Sequence, residues 1–276
     1  MLGYIFDPLQ YSFMVRALIV SVLVGVMCPI IGAYVVTRGR SFLGDALAHS
    51  VLPGMVVAFL LGISPFFAAV PAGVVVALLM GTVSRHTGIS EDTSIGIVFA
   101  GMFALGMVML SKASDSINVR IEDLLLGQVL GVTQTDVYVS VVLAVLVVIG
   151  LYIFHRQLVF TTFDEIGASA AGIRTGVVEY VLLGFLALVV VIGIQAAGIV
   201  LVMAMLITPA ATGYLIARRF VGMMFVGAIV GASSAVAGMY LSYYADLPSG
   251  PTMALLSTGL FAAAALYRVK WPRTRD

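Results

Sequence analysis

Charge is scarce in this chain of 276 residues: 14 Lys and Arg and 13 Asp and Glu make 10% of it charged, and the net charge is only +1. A soluble domain carries about 25% charged residues. The shortage excludes a nucleic-acid binder, which needs a basic field to hold phosphates. Cysteine occurs once, as Cys28 inside an apolar run, so no internal disulfide can form and a disulfide scaffold is excluded. No GxxxxGK(S/T) segment is present, which leaves the chain without a P-loop for ATP. Neither HExxH nor GxSxG occurs, so metalloprotease and serine-hydrolase chemistry have no support. What the sequence does contain is apolar: 62% hydrophobic residues, with a mean hydropathy of +1.15. These residues come in runs too numerous to hide in one globular core. Disorder is thereby excluded as well, and the fold class is an all-α, polytopic membrane protein.

A bilayer core of ~30 Å needs ~20 apolar residues per helix. The runs predict spans at Ala17–Val36, Phe42–Leu61, Phe66–Val83, Thr93–Leu110, Val137–Phe154, Val177–Ile194, Gly198–Ile216, Met223–Tyr243 and Thr252–Tyr267. A count of eight is the alternative. Ile121–Leu130 is shorter, starts with Glu122 and Asp123, and reads as an interfacial or re-entrant segment. The first span is too long for a signal peptide and has no basic cluster before it. Arg38, Arg40, Arg85, Arg156, Arg174, Arg218, Arg219, Arg268, Lys270, Arg273 and Arg275 all fall on one face if the helices alternate. That face is expected to be cytoplasmic, with the C-terminus on it. Lys112 and Arg120 fall on the other face, and Arg16 at the outer end of the first span runs against the trend.

The longest loop on the basic face, His155 to Gly176, carries a short helix of its own, at about 162–173. Thr162 followed by Glu165 reads as a capping box. Asp164 and Glu165 then occupy the first turn, where the helix dipole favours anions, and Gly172 is placed as a left-handed stop. Ala168, Ser169, Ala170 and Ala171 between them offer a small-residue face for docking against another protein. The competing reading is a solvated loop with one helical turn. His86 and His155 fall at helix ends and read as structural.

Asp45 and His49 lie within Ser41-Phe-Leu-Gly-Asp-Ala-Leu-Ala-His-Ser-Val-Leu-Pro-Gly54. Their i,i+4 spacing stacks both side chains on one helical face. An aspartate near mid-membrane costs about 2.5–3.5 kcal/mol on insertion scales, so it is normally paired, hydrated or bound to a cation. Pro53 lacks an N–H and so cannot bond the carbonyl of residue 49, and it is read as lining the pathway. Carboxylate, imidazole and carbonyl together suit manganese, zinc or iron. The bland alternative is a surface acid paired with Arg38 or Arg40. Pro29, Pro71 and Pro209 mark further breaks. In Gly198-Ile-Val-Leu-Val-Met-Ala-Met-Leu-Ile-Thr-Pro-Ala-Ala-Thr212, Thr208, Pro209 and Thr212 are read as lining the pathway opposite Asp45 and His49, with a kinked packing helix as the alternative. Gly227 and Gly231 form a GxxxG, a mark of close helix packing.

These segments make the chain familiar. It resembles the permease subunits of ABC importers for manganese, zinc and iron. Gly44-Asp-Ala-Leu-Ala-His-Ser50 and the closing Ile207-Thr-Pro-Ala-Ala-Thr212 carry the likeness, which runs over nearly the whole chain. Phe163–Gly172 resembles the family's coupling helix. The resemblance implies a single transmembrane domain over 1–276 with a type II ABC importer-like fold of about 8–9 kinked or broken helices. It implies Asp45 and His49 as the metal-coordinating pair, and Asp164, Glu165, Ala168 and Gly172 as contacts to the ATPase. The implied partners are a second copy of the chain, cytoplasmic ATP-binding subunits and an extracytoplasmic metal-binding protein, in the inner membrane of a prokaryote. The metal is cargo and no cofactor is permanently bound. The Thr-Pro-Ala-Ala-Thr form points to manganese. The competing function is a self-sufficient, proton-coupled cation transporter or channel with Asp45 and His49 as a relay.

Overall fold

The computed structural model describes residues 7–113 and 131–270, apart from the side chains of residue 65 and residues 195–197. The expected segment Ile121–Leu130 lies outside the described residues, as do Arg120, Arg273 and Arg275. Every described element is helical. In order they are α1 (Ser12–Thr37), α2 (Phe42–Ser50), α3 (Leu52–Leu61), α4 (Pro65–Thr87), α5 (Glu91–Ala113), α6 (Gln134–Phe163), α7 (Glu165–Ala170), α8 (Thr175–Ile216), α9 (Phe220–Ala245) and α10 (Ser249–Lys270). A 3-10 turn, Pro8–Gln10, leads into α1.

Among the described residues, nine helices are long and apolar enough to cross a membrane. They coincide with the nine expected spans, and two boundaries carry information. The second span is two helices meeting at Val51, with Pro53 in the first turn of α3, where its missing N–H removes nothing from the ladder. The sixth and seventh spans are one continuous assignment, α8, broken only at Gly198, whose φ of 80° and ψ of 171° no L-residue adopts comfortably. A Cβ on Gly193 would lie 2.4 Å from Val202. Residues nine apart on a straight helix are ~13 Å apart, so the two arms, Thr175–Ile194 and Gly198–Ile216, fold back on each other.

α1 is the central post. It packs on α6, α8 and α9, and Met14, Ala17, Cys28, Ile31, Ala33 and Tyr34 along it are fully buried. Contact at this closeness needs small residues. A Cβ on Gly25 would meet the Gly231 carbonyl at 2.6 Å, and one on Gly32 would meet the Leu206 carbonyl at 1.8 Å. The GxxxG of α9 is therefore spent inside the chain: Gly231 lies on Gly25, and Gly227 on Pro29 and the Pro209 carbonyl. The outer helices α5, α6, α9 and α10 keep most of their apolar surface exposed, as bilayer-facing helices do.

The basic residues gather as the topology requires. The side chain of Arg38, after α1, donates to Thr161 and Thr162 at the end of α6. Arg40 reaches Glu91 at the start of α5 and Glu179 in the first arm of α8. Phe220, opening α9, packs on Tyr34 and Phe163. These contacts collect the helix ends that bear Arg38, Arg40, Arg85, Arg156, Arg174, Arg218 and Arg219 at one end of the bundle.

Candidate functional site

α2 is held against the second arm of α8 by a close fit: a Cβ on Gly44 would overlap Leu206. The next residue is Asp45, and His49 follows one turn later. The His49 Nδ1 lies 3.1 Å from the Asp45 carbonyl oxygen and 3.0 Å from the Asp45 Oδ1. Both are acceptors, so Nδ1 carries a proton, and in the neutral tautomer Nε2 would carry the lone pair. The N–H is aimed at the carbonyl, which leaves Oδ1 buried without a hydrogen bond. The Asp45 and His49 side chains remain 19% and 21% exposed, so the pair is not sealed within the chain. Phe99 and Phe103 of α5 stand edge-on to the imidazole, with ring centroids 5.9 and 5.6 Å away. Sequence reading did not find these rings, because they lie half a hundred residues away in the chain and look like any apolar helix face.

Asp45 is not paired with Arg38 or Arg40, whose guanidiniums serve Thr161, Thr162, Glu91 and Glu179. Among the described residues no group of three or more His, Cys, Asp and Glu gathers as a cage, so one chain offers the pair alone. Pro53 is buried just below it. The second arm of α8 runs through Pro209 without a break, Thr208 is half-buried, and Thr212 is buried and donates to the Thr208 carbonyl at 2.9 Å. The arm meets α2 at Leu206, on which Gly44 lies.

A second charged site, whose Arg40 and Arg85 served the sequence reading only as topology signals, sits at the basic end. Glu179 is buried and bridges two guanidiniums: Arg40 Nη1 donates to its Oε1 at 2.9 Å, and Arg85 Nε to its Oε2 at 2.9 Å. Arg40 also pairs with Glu91, and Arg85 Nη2 lies 4.0 Å from Glu165. Five residues from five elements or their connections thus form one chain of charge. A buried acid inside an apolar span demands such partners, and that was the available signal. Next to this cluster, burial and the charge of Arg40 push the Arg38 pKa below its ordinary value.

α7 corrects the expected cap. α6 continues to Phe163, so Thr162 is helical and its hydroxyl donates to the Leu158 carbonyl. The capping box of Thr162 and Glu165 does not form. Asp164 is the N-cap instead, and its Oδ1 accepts the Gly167 N–H at 2.7 Å. The stop is as expected. Gly172 has φ 83°, its N–H bonds the Ser169 carbonyl, and the Ile173 N–H bonds the Ala168 carbonyl, a complete Schellman motif. Ala168 is fully buried within the chain, so it seats α7 on the bundle rather than facing outward. The outward face is Glu165, Ile166, Ser169 and Ala170, bordering an open depression of about 560 Å³; Ile166 is 85% exposed.

Residues 10–268 match the ABC 3 transport family. The chain belongs to that family. It is 41% identical to the "Manganese transport system membrane protein MntC" of Halalkalibacterium halodurans, over 98% of this chain and 92% of the relative. It is 34% identical to the "Probable iron transport system membrane protein" of Haemophilus influenzae, over 97% of this chain and 98% of the relative. Its fold matches the solved PsaBC from Streptococcus pneumoniae in complex with Fab, with a TM-score of 0.84 and 33% identity, covering 96% of this chain and 95% of that one. As an ABC 3 transport family member it is a multi-pass membrane subunit of an ABC transporter, and the bundle just described is that family's membrane-spanning fold.

Proposed function

We propose that this chain is the membrane-spanning subunit of an ATP-driven importer that carries a divalent transition metal ion, manganese in the first instance, from an extracytoplasmic binding protein to the cytoplasm. The observation that carries the proposal is the Asp45–His49 pair: the Asp45 Oδ1 is buried and accepts no hydrogen bond among the described residues, its close neighbour being the His49 Nδ1 at 3.0 Å, and in the neutral imidazole the Nε2 would carry a lone pair for a metal. A buried carboxylate oxygen without a hydrogen bond is costly, and a passing dication relieves that cost. One chain contributes two side-chain ligands, so two copies around a two-fold axis supply two carboxylates and two imidazoles, the usual closed solution for such subunits. Carboxylate with imidazole suits manganese, zinc and ferrous iron alike. The names of the relatives, manganese above all, support the choice among them.

The whole chain acts as one transmembrane domain in a prokaryotic inner membrane. Its basic end faces the cytoplasm, which puts the C-terminus there too. Separate ATP-binding subunits dock on the outward face of α7. Their movement reaches Glu165, Arg85, Glu179 and Arg40 through the charge cluster, and Arg40 lies just before α2, which carries Asp45. The pathway lies between Asp45 and His49 on one side and the second arm of α8, with Thr208, on the other. The decisive measurement is radioactive manganese uptake by proteoliposomes holding the chain with its ATPase and binding protein, competed with zinc and ferrous iron. Uptake that requires ATP and is lost in the Asp45→Ala, His49→Ala double variant is the expected result. Proton-driven uptake by the purified chain alone would reject it.

A further inference from the structure

A groove of about 830 Å³ runs down the outside of the bundle between α1, α6 and α9. Its walls are apolar, with Ile30, Leu151, Val221 and Phe225 among them, and its upper rim carries Tyr152 and Arg156. Tyr152 is 86% exposed, and both residues stand on one stripe of α6 at i,i+4 spacing. α6 has 30 residues, about 45 Å of helix against a hydrocarbon core of ~30 Å. The apolar run of α6 ends at Phe154, which puts Arg156 at its margin, where a guanidinium reaches the headgroups. Arg218 and Arg219, in the connection just before α9, do not line the groove but are exposed a few residues from Val221, which does. Among the described residues, none of these three arginines has an acid or hydrogen-bond partner, whereas Arg38, Arg40 and Arg85 at the same end are all engaged. His155, beside Arg156, is turned inward and meets the Tyr34 hydroxyl at 2.7 Å. No acidic residue lines the groove.

We propose that this groove binds an anionic glycerophospholipid, with an acyl chain along α6 and α9 and the headgroup phosphate held by Arg156 with Arg218 or Arg219. Charge complementarity selects the occupant: Arg156 in the groove itself, with Arg218 and Arg219 exposed near the start of α9, offers unengaged, fork-shaped donors for phosphate oxygens, beside an apolar trough. Basic recesses between transmembrane helices on the cytoplasmic side are the setting in which such headgroups are held. The groove also lies away from Asp45 and His49. α2, which carries that pair, packs on α4, α5 and α8, not on α6 or α9, so copies meeting around the pair leave the groove facing lipid.

The test is lipid retention by the purified full-length chain. After delipidation in detergent, it is exposed to equal amounts of phosphatidylglycerol and phosphatidylcholine with identical acyl chains, and retained lipid is counted by native mass spectrometry. At least a fivefold preference for phosphatidylglycerol is expected. The R156Q/R218Q/R219Q variant should bring the ratio to about one, and A228W, which fills the trough, should lower retention of both lipids. A ratio near one for the unaltered chain, which needs no variant, overturns the proposal. So does a preference that survives loss of the three arginines. An oligomer that A228W splits, with no lipid retained by the parent, would assign the face to a second copy and overturn it equally.

Discussion

Asp45 and Glu179 are both acids inside apolar spans, yet their surroundings are opposite. Both oxygens of Glu179 are taken by guanidiniums, while one oxygen of Asp45 has no hydrogen bond. Removing each charge should therefore do opposite things. Glu179→Gln leaves Arg40 and Arg85 underpaired in a mostly buried setting; breaking a buried pair costs ~3 kcal/mol, which should appear as a lower thermal unfolding midpoint in detergent. Asp45→Ala removes an unsatisfied group, so without metal its midpoint should equal or exceed that of the parent. Its manganese uptake, by contrast, should fall at least ~10-fold, the lower end of what even a supporting residue of a metal site contributes. The pair was legible in the sequence because both members lie within one turn. Phe99, Phe103 and the partners of Glu179 were not, since no local pattern records which distant helix a side chain meets.

Among the elements, α7 is the smallest and the most dependent on its ends. Six residues cannot hold a helix by themselves. Asp164 at one end and Gly172 at the other satisfy backbone groups that would otherwise be orphaned. Asp164→Ala should cost the cap ~1 kcal/mol, and Gly172→Val places a β-branched residue at positive φ, at about 1–3 kcal/mol. In the reconstituted complex, both variants should keep ATP hydrolysis while metal uptake drops several-fold; unchanged uptake per ATP would move the docking face elsewhere. The glycine stop could be read from sequence because its chemistry is local. The N-cap was misassigned by two residues because Thr162 and Asp164 are both good caps, and only the length of α6 decides between them. The reversal at Gly198 was legible as a gap between apolar runs, while the closeness of the two arms was not.

For the whole molecule, nine apolar runs and their flanking arginines were enough to give the class and the common end of the bundle. The order of packing was not, because nearly every face of every helix is apolar and periodicity is mute. Glycine contacts carry that order instead. Gly231→Ala would set a methyl 1.9 Å from the Gly25 carbonyl, and overpacking of this kind costs about 1–3 kcal/mol. A drop in the unfolding midpoint with no change in oligomeric mass is expected, since the seam joins α1 to α9 within one chain.

The central position of α1 has a practical sequel. Cys28 is the only thiol in the chain and its side chain is fully buried inside the bundle. A maleimide will find nothing to alkylate on the folded parent, so reporter cysteines can be introduced one at a time without first deleting a native one. Placed at Ser169, in a chain expressed without the ATP-binding subunits that would cover that face, such a reporter should react with an impermeant maleimide in inverted vesicles and stay unlabelled in intact cells. The sidedness of the whole bundle can then be read from a gel.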